Sequence, residues 1–181
     1  MDREEAYNLV EANVKNRKLR KHMLAVATIM EKLAEVLGED KNLWYLVGLL
    51  HDLDYEKVSD FKEHGVVSAK MLEGLLPEEA LEAIRAHNEM TGYTCDSRLA
   101  KALRAADQLS GLIIATALVM PHKKLEEVRV SSLKKKFKQK DFARGVKREK
   151  IKLCEDIGIP LEKFFELGLD ALKEIHEQLG L

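Results

Sequence analysis

Leu43-Trp44-Tyr45-Leu46-Val47-Gly48-Leu49-Leu50-His51-Asp52 decides how this chain is read. Its first eight residues are apolar on every face, and a helix with no polar face is buried all round. That helix delivers an imidazole and a carboxylate to the protein interior. Burying the two without partners costs on the order of several kcal/mol, which a bound metal ion or a full set of hydrogen bonds offsets. Nitrogen and carboxylate oxygen are also the donors that an ion of intermediate hardness prefers. From the dipeptide alone both readings stand, a structural pair or half of a metal site.

Outward from this stretch the pattern is helical throughout, with no sustained period-2 alternation. A first helix covers about 3–14. A second starts after the capping residue Asn16 and stops at Gly38. Asp40 caps the third, about 41–53. Asp60 with Glu63 has the form of a capping box opening a fourth helix to about 76, and Pro77 starts a fifth over about 78–90. Asp96 or Ser97 caps a long helix to about 119, ended by Pro121. After Pro160 a last amphipathic helix carries Leu161, Phe164, Phe165, Leu169, Leu172, Ile175 and Leu179 as one apolar stripe. The expected fold is all-α, a single-domain helical bundle: residues 1–120 as the core and 121–181 as a helical appendage packed on it.

Composition narrows the function classes. With 181 residues, 46% apolar and 34% charged, the chain has a globular profile. A net charge of -1 gives no global attraction to nucleic acid or to an anionic membrane. Cys95 and Cys154 are far apart and form no C-x-x-C, so neither a disulfide framework nor a cysteine-type zinc site is indicated. The N-terminus lacks the basic-then-apolar order of a signal peptide, and the apolar runs 43–50 and 112–121 are too short to span a bilayer. The expected location is cytoplasmic, without membrane contact.

The remaining histidines give the His-Asp pair its context. His22 shares the stripe of Leu19, Val26, Ile29 and Leu33. His64 lines up with Val67, Met71 and Leu75, His87 follows Leu81 and Ile84, and Asp107 borders the stripe of Leu99, Leu103 and Ala106. Any one of them could be a core-edge group bonded to a carbonyl. Six polar residues aimed inward from different helices are what a bundle core uses to gather metal ligands.

The ordered set His22, His51-Asp52, His64, His87, Asp107 resembles the H…HD…H…H…D signature of the HD-domain superfamily of metal-dependent phosphohydrolases. The local text agrees: Gly48 to Asp52 resembles the family's "GLLHD", and His64-Gly65, Ala69, Leu75-Leu76-Pro77 and Ile84 to His87 resemble its "HG…A…LLP…I…H". Ala105-Ala106-Asp107-Gln108-Leu109 resembles its "AADQL" helix. The likeness covers about 16–115. It implies a divalent transition metal as cofactor, two ions drawn from Fe, Mn, Ni or Zn. His22, His51, Asp52 and Asp107 would hold the first, and Asp52 would bridge to a second held by His64 and His87. A metal-bound hydroxide would then attack the phosphate ester or anhydride of a small phosphorylated molecule, a nucleotide foremost. The same ligand set also serves di-iron oxygenases, and a non-catalytic nucleotide sensor is a third possibility within the superfamily.

One departure stands out. Many relatives read His-Asp-Ile-Gly-Lys, whereas this chain has His51-Asp52-Leu53-Asp54-Tyr55-Glu56-Lys57. The phosphate-facing lysine has its nearest counterpart in Lys57, to which the role does not carry over directly. Asp54, Glu56 and Glu89 are the candidate leaving-group acids by their nearness to the motif. Between Arg129 and Lys150 there are ten Lys and Arg against two Asp and Glu, a local charge of +8. That segment is read as a lid that brings Lys135, Lys136 and Arg144 to substrate phosphates. The competing readings are a solvated helix face and weak, salt-dependent nucleic-acid contact.

Overall fold

The two long helices of the chain begin and end on local signals. A computed structural model describes all 181 residues. In it α1 (Arg3–Asn13) opens with a capping box between Asp2 and Glu5. In α2 (Arg17–Leu37) the Asn16 side chain accepts from the Lys18 and Leu19 N–H groups, and Gly38 closes the helix in the left-handed conformation at φ 70°. Asp40 caps α3 (Lys41–Leu50), and Ser97 caps α6 (Arg98–Leu118). Between them lie α4 (Val66–Met71) and α5 (Glu78–Ala86); after α6 come α7 (Val130–Lys138), α8 (Arg148–Ile151), α9 (Leu153–Asp156), α10 (Leu161–Glu174) and α11 (His176–Leu179). There is no strand, and no helix is long and apolar enough to cross a membrane.

Packing centres on α2, which touches α3, α6 and α10. The α2–α3 interface is the most extensive in the bundle. A Cβ on Gly48 would stand 2.7 Å from the Ala27 Cα, so only glycine lets the two backbones approach this far. That approach brings the end of α3 beside His22 on α2. The apolar interior is continuous from Val26 and Ile29 of α2 through Leu103 and Leu109 of α6 to Phe164 and Phe165 of α10. Burying each of those phenylalanines contributes roughly 2–3 kcal/mol. Phe137 of α7 meets Phe165 edge to face at 5.5 Å, which fastens the basic segment to the bundle.

Four expected helices differ from the observed ones, and three of the differences shape the site. The third ends at Leu50 rather than 53, and residues 51–57 fold into consecutive tight turns. The fourth does not run from 60 to 76. Asp60 caps only a 3-10 turn, Phe61–Glu63, after which His64 is extended and Gly65 takes φ 101°, with α4 starting at Val66. A Cβ at Gly65 would lie 2.9 Å from the Ile84 carbonyl oxygen and 3.2 Å from the His87 ring, so this turn too depends on glycine. The fifth, expected to 90, ends at Ala86 and leaves His87 as its closing residue, with a separate 3-10 turn at Glu89–Thr91. The final helix breaks at Ile175, leaving α11 as one separate turn.

Candidate metal centre

Four imidazoles converge with the same nitrogen forward. The Nδ1–H of His51 donates to the Gly48 carbonyl at 2.7 Å, and that of His87 donates to the Ile84 carbonyl at 2.5 Å. Both residues stand at the C-terminal end of a helix, where the ring satisfies a carbonyl that has no helical partner. His64 donates from Nδ1 to the Asp54 carboxylate at 2.6 Å. Ser110 donates its hydroxyl hydrogen to the Asp107 carbonyl and so accepts from Nδ1 of His22 at 3.2 Å. With every Nδ1–H committed, all four Nε2 atoms are left for the centre, the arrangement by which outer partners orient metal-binding histidines.

Two carboxylates face those nitrogens. Asp52 Oδ1 lies 3.1 Å from His64 Nε2 and 3.3 Å from His87 Nε2, while its Oδ2 lies 3.3 Å from His51 Nε2 and 3.5 Å from His22 Nε2. Asp107 Oδ1 lies 2.8 Å from His22 Nε2 and 3.6 Å from His51 Nε2. The two oxygens of Asp52 are thus divided between two histidine pairs. Two groups, His22–His51–Asp107 and His51–Asp52–His87, each place their donor atoms within 4.8 Å of one another.

The donor set fits a metal on evidence internal to the structure. His51 is fully buried, and its Nε2 has no hydrogen-bond partner although carboxylate oxygens are near. His64 and His87 also bring their Nε2 atoms within 3.1 Å of each other. Lone pairs gathered in this way call for a cation. The electrostatics agree: burial alone would keep His51 neutral, yet Asp52 and Asp107 raise its pKa well above the ordinary value. His64 is likewise pushed up to about 9 by Asp52 and Asp54 against its burial. Burial would raise both Asp52 and Asp107, and the imidazoles around them hold both well below the carboxylate range. The field that draws a proton onto these nitrogens draws a divalent ion equally. Four imidazoles with two carboxylates suit a transition metal better than Mg or Ca.

A family model for the HD domain matches residues 19–112, just over half of the chain. The chain belongs to the HD-domain family. Searches of curated proteins and of solved structures return no match. The HD domain is the mark of a superfamily of metal-dependent hydrolases, and all six converging residues lie within the matched span.

Around this HD-domain centre is a cavity of about 370 Å³. Its wall includes Leu19, Tyr55, Phe61, Asn88 and Gln108, and, from beyond the matched span, Lys147 and Lys150. In the sequence Leu19, Tyr55 and Gln108 appear only as neighbours of the motif residues and the two lysines only as part of the basic run, while Phe61 and Asn88 give no signal.

The other expected site residues are placed elsewhere. Asp54 is fully buried and faces away from the cavity: it accepts from His64 and from the Gly65 and Ser68 N–H groups at 2.7 and 2.8 Å. Although burial opposes ionisation, those bonds lower its pKa, so it is an ionised anchor and no acid. Glu56 accepts from the Lys15 and Asn16 N–H groups and holds the link between α1 and α2. Glu89 is paired with Lys147 and Lys150, which lower its pKa to about 2. Neither Asp54 nor Glu89 is a proton donor at neutral pH, and Glu56 is engaged away from the cavity. Lys57 is exposed outside the cavity. Lys135 is also exposed, Lys136 sits over the Phe142 ring, and Arg144 lines a separate groove with Lys138 and Lys140. The basic segment does reach the cavity, through residues three to six positions beyond Arg144. Of the two remaining histidines, His122 pairs with Glu127 at the surface, and His176 is exposed.

Proposed function

We propose that this HD-domain protein is a metal-dependent phosphohydrolase that cleaves a phosphate ester or anhydride of a small phosphorylated molecule, foremost a nucleotide. The observation that carries the reading is the division of the Asp52 oxygens between two histidine pairs. His22, His51, Asp107 and Asp52 Oδ2 would hold one divalent ion, and His64, His87 and Asp52 Oδ1 a second. Such ions, when bound, supply Lewis acidity toward phosphoryl oxygens and lower the pKa of water from 15.7 to about 7.

The chain's own residues do the rest. The Gly48 and Ile84 carbonyls, Ser110 and Asp54 fix the four ring orientations, so the donor set is organised before any ion arrives. Asp52 and Asp107 stay ionised in a buried setting because imidazoles surround them. Lys147 and Lys150 place two ammonium groups on the cavity wall, which favours an anionic substrate such as a phosphorylated molecule. The cavity volume falls in the range of small-molecule sites.

The test is metal content of the purified protein together with hydrolysis of bis(p-nitrophenyl) phosphate and a nucleotide panel. Close to two equivalents of metal are expected, with phosphate release lost in His51→Ala and His87→Ala. Bound iron without cleavage of any phosphate ester would turn the reading toward oxygenase chemistry. No bound metal at all would overturn it.

A further inference from the structure

Lys147 and Lys150 stand on the cavity wall but do not face it unoccupied. Both ammonium groups donate to the Glu89 carboxylate, Lys150 at 3.0 Å. Glu89 begins the turn two residues after His87, so the pair links the appendage to the metal-bearing turn across the mouth of the cavity. The lysines are held from behind. The Lys147 N–H donates to the Gln108 side chain at 2.8 Å, next to Asp107. Arg148, between them, grips six carbonyls, two at the end of α7 and four in the loop that follows it. The Lys150 side chain is only 13% exposed, too covered for a freely solvated surface charge.

Two fixed cations sharing one carboxylate form a site for a group of higher charge than a carboxylate. We propose that Lys147 and Lys150 bind a second phosphate of the substrate, one that is not cleaved, and that Glu89 holds their place until it arrives. The inference rests on the phosphohydrolase reading and narrows it: the substrate carries at least two phosphoryl groups, as in a nucleoside diphosphate, triphosphate or bisphosphate. A dianionic phosphate offers three acceptor oxygens to the two ammonium groups, where the carboxylate offers two. Glu89 is then released to solvent at the rim.

Calorimetric titration of pyrophosphate and of orthophosphate into the manganese-loaded protein tests this, with metal content measured for every variant. Lys147→Gln and Lys150→Gln should each weaken pyrophosphate binding about tenfold, the scale of one charge-assisted contact, and orthophosphate much less. Glu89→Gln should strengthen pyrophosphate binding several-fold by removing the competitor. Metal content should be unchanged throughout. Lysine variants that bind pyrophosphate like the wild type would overturn the inference and leave the phosphohydrolase reading intact. A wild type that binds neither anion would also overturn the inference, whereas the phosphohydrolase reading stands or falls on metal content and phosphate-ester cleavage.

Discussion

The metal centre has two halves built by different means. His22 and Asp107 project from α2 and α6, each 21 residues long and packed along its length, with His51 brought to them by the Gly48 contact. His64 and His87 instead stand on turns flanking the short helices α4 and α5. The first half is positioned by core packing, which tolerates little displacement. The second is positioned by a few hydrogen bonds, chief among them those to Asp54. One half is therefore expected to fail with the core, and the other to fail by itself.

The largest effect should come from the residue both halves share. Asp52→Ala removes an oxygen from each group, so both ions should be lost and phosphate release should drop to background in the same assay. Retention of a full metal complement would show that Asp52 does not join the halves. Asp54→Asn separates them: it leaves His22, His51 and Asp107 untouched while loosening His64. One ion should bind as before and the other about 10- to 100-fold more weakly, read by competition with a chelator. Equal weakening of both ions would erase the distinction.

Gly48→Ala strikes the helical half through packing. With Ala27 backbone 2.7 Å from the new methyl group, overpacking of about 2 kcal/mol is expected. The melting temperature should then fall by roughly 4–8 °C, and an unchanged melt would mean that α2 and α3 can separate at little cost. The smallest effect concerns the thiols, one beside each region. Burial pushes the Cys154 thiol on α9, beneath α6, up to about 12, so it remains protonated and unreactive as pH rises from 7 to 10. Cys95, in the loop that follows the second half, is only half-buried. Iodoacetamide should modify one cysteine of the native protein over that range, located by mass spectrometry at Cys95; modification of both would show that the α6–α9 packing opens readily.

The same division explains what could be read from the amino-acid order. The bounds of α2 and α6 follow from Asn16, Gly38 and Ser97 because helix ends are set by residues adjacent in the chain. The region around His64 could not be read so. The caps of α4 come from Asp54, more than ten residues away, which accepts from Gly65 and Ser68, so Asp60 and Glu63 make a local capping pattern that tertiary bonds override. Asp54 resembled a catalytic acid for the same reason: proximity to His51-Asp52 in the chain says nothing about which way a carboxylate points after a turn. In the basic run, composition shows that cations are abundant. Which of them meets the cavity depends on the path of residues 139–147, and that path is set by Arg148.

Arg148 carries a further consequence. The loop 139–147 has no regular secondary structure, and a single guanidinium stands in for it by gathering carbonyls from residues 136, 137, 139, 142, 143 and 146. An ammonium group, with three donors on a flexible stem, cannot reproduce that fan. The path of the loop thus hangs on one residue that is not itself among the converging ligands. Its length and composition can vary between Gln139 and Val146 so long as the carbonyls still reach Arg148. The wall of the cavity can therefore diverge through this loop while the six converging residues and the bundle stay as they are.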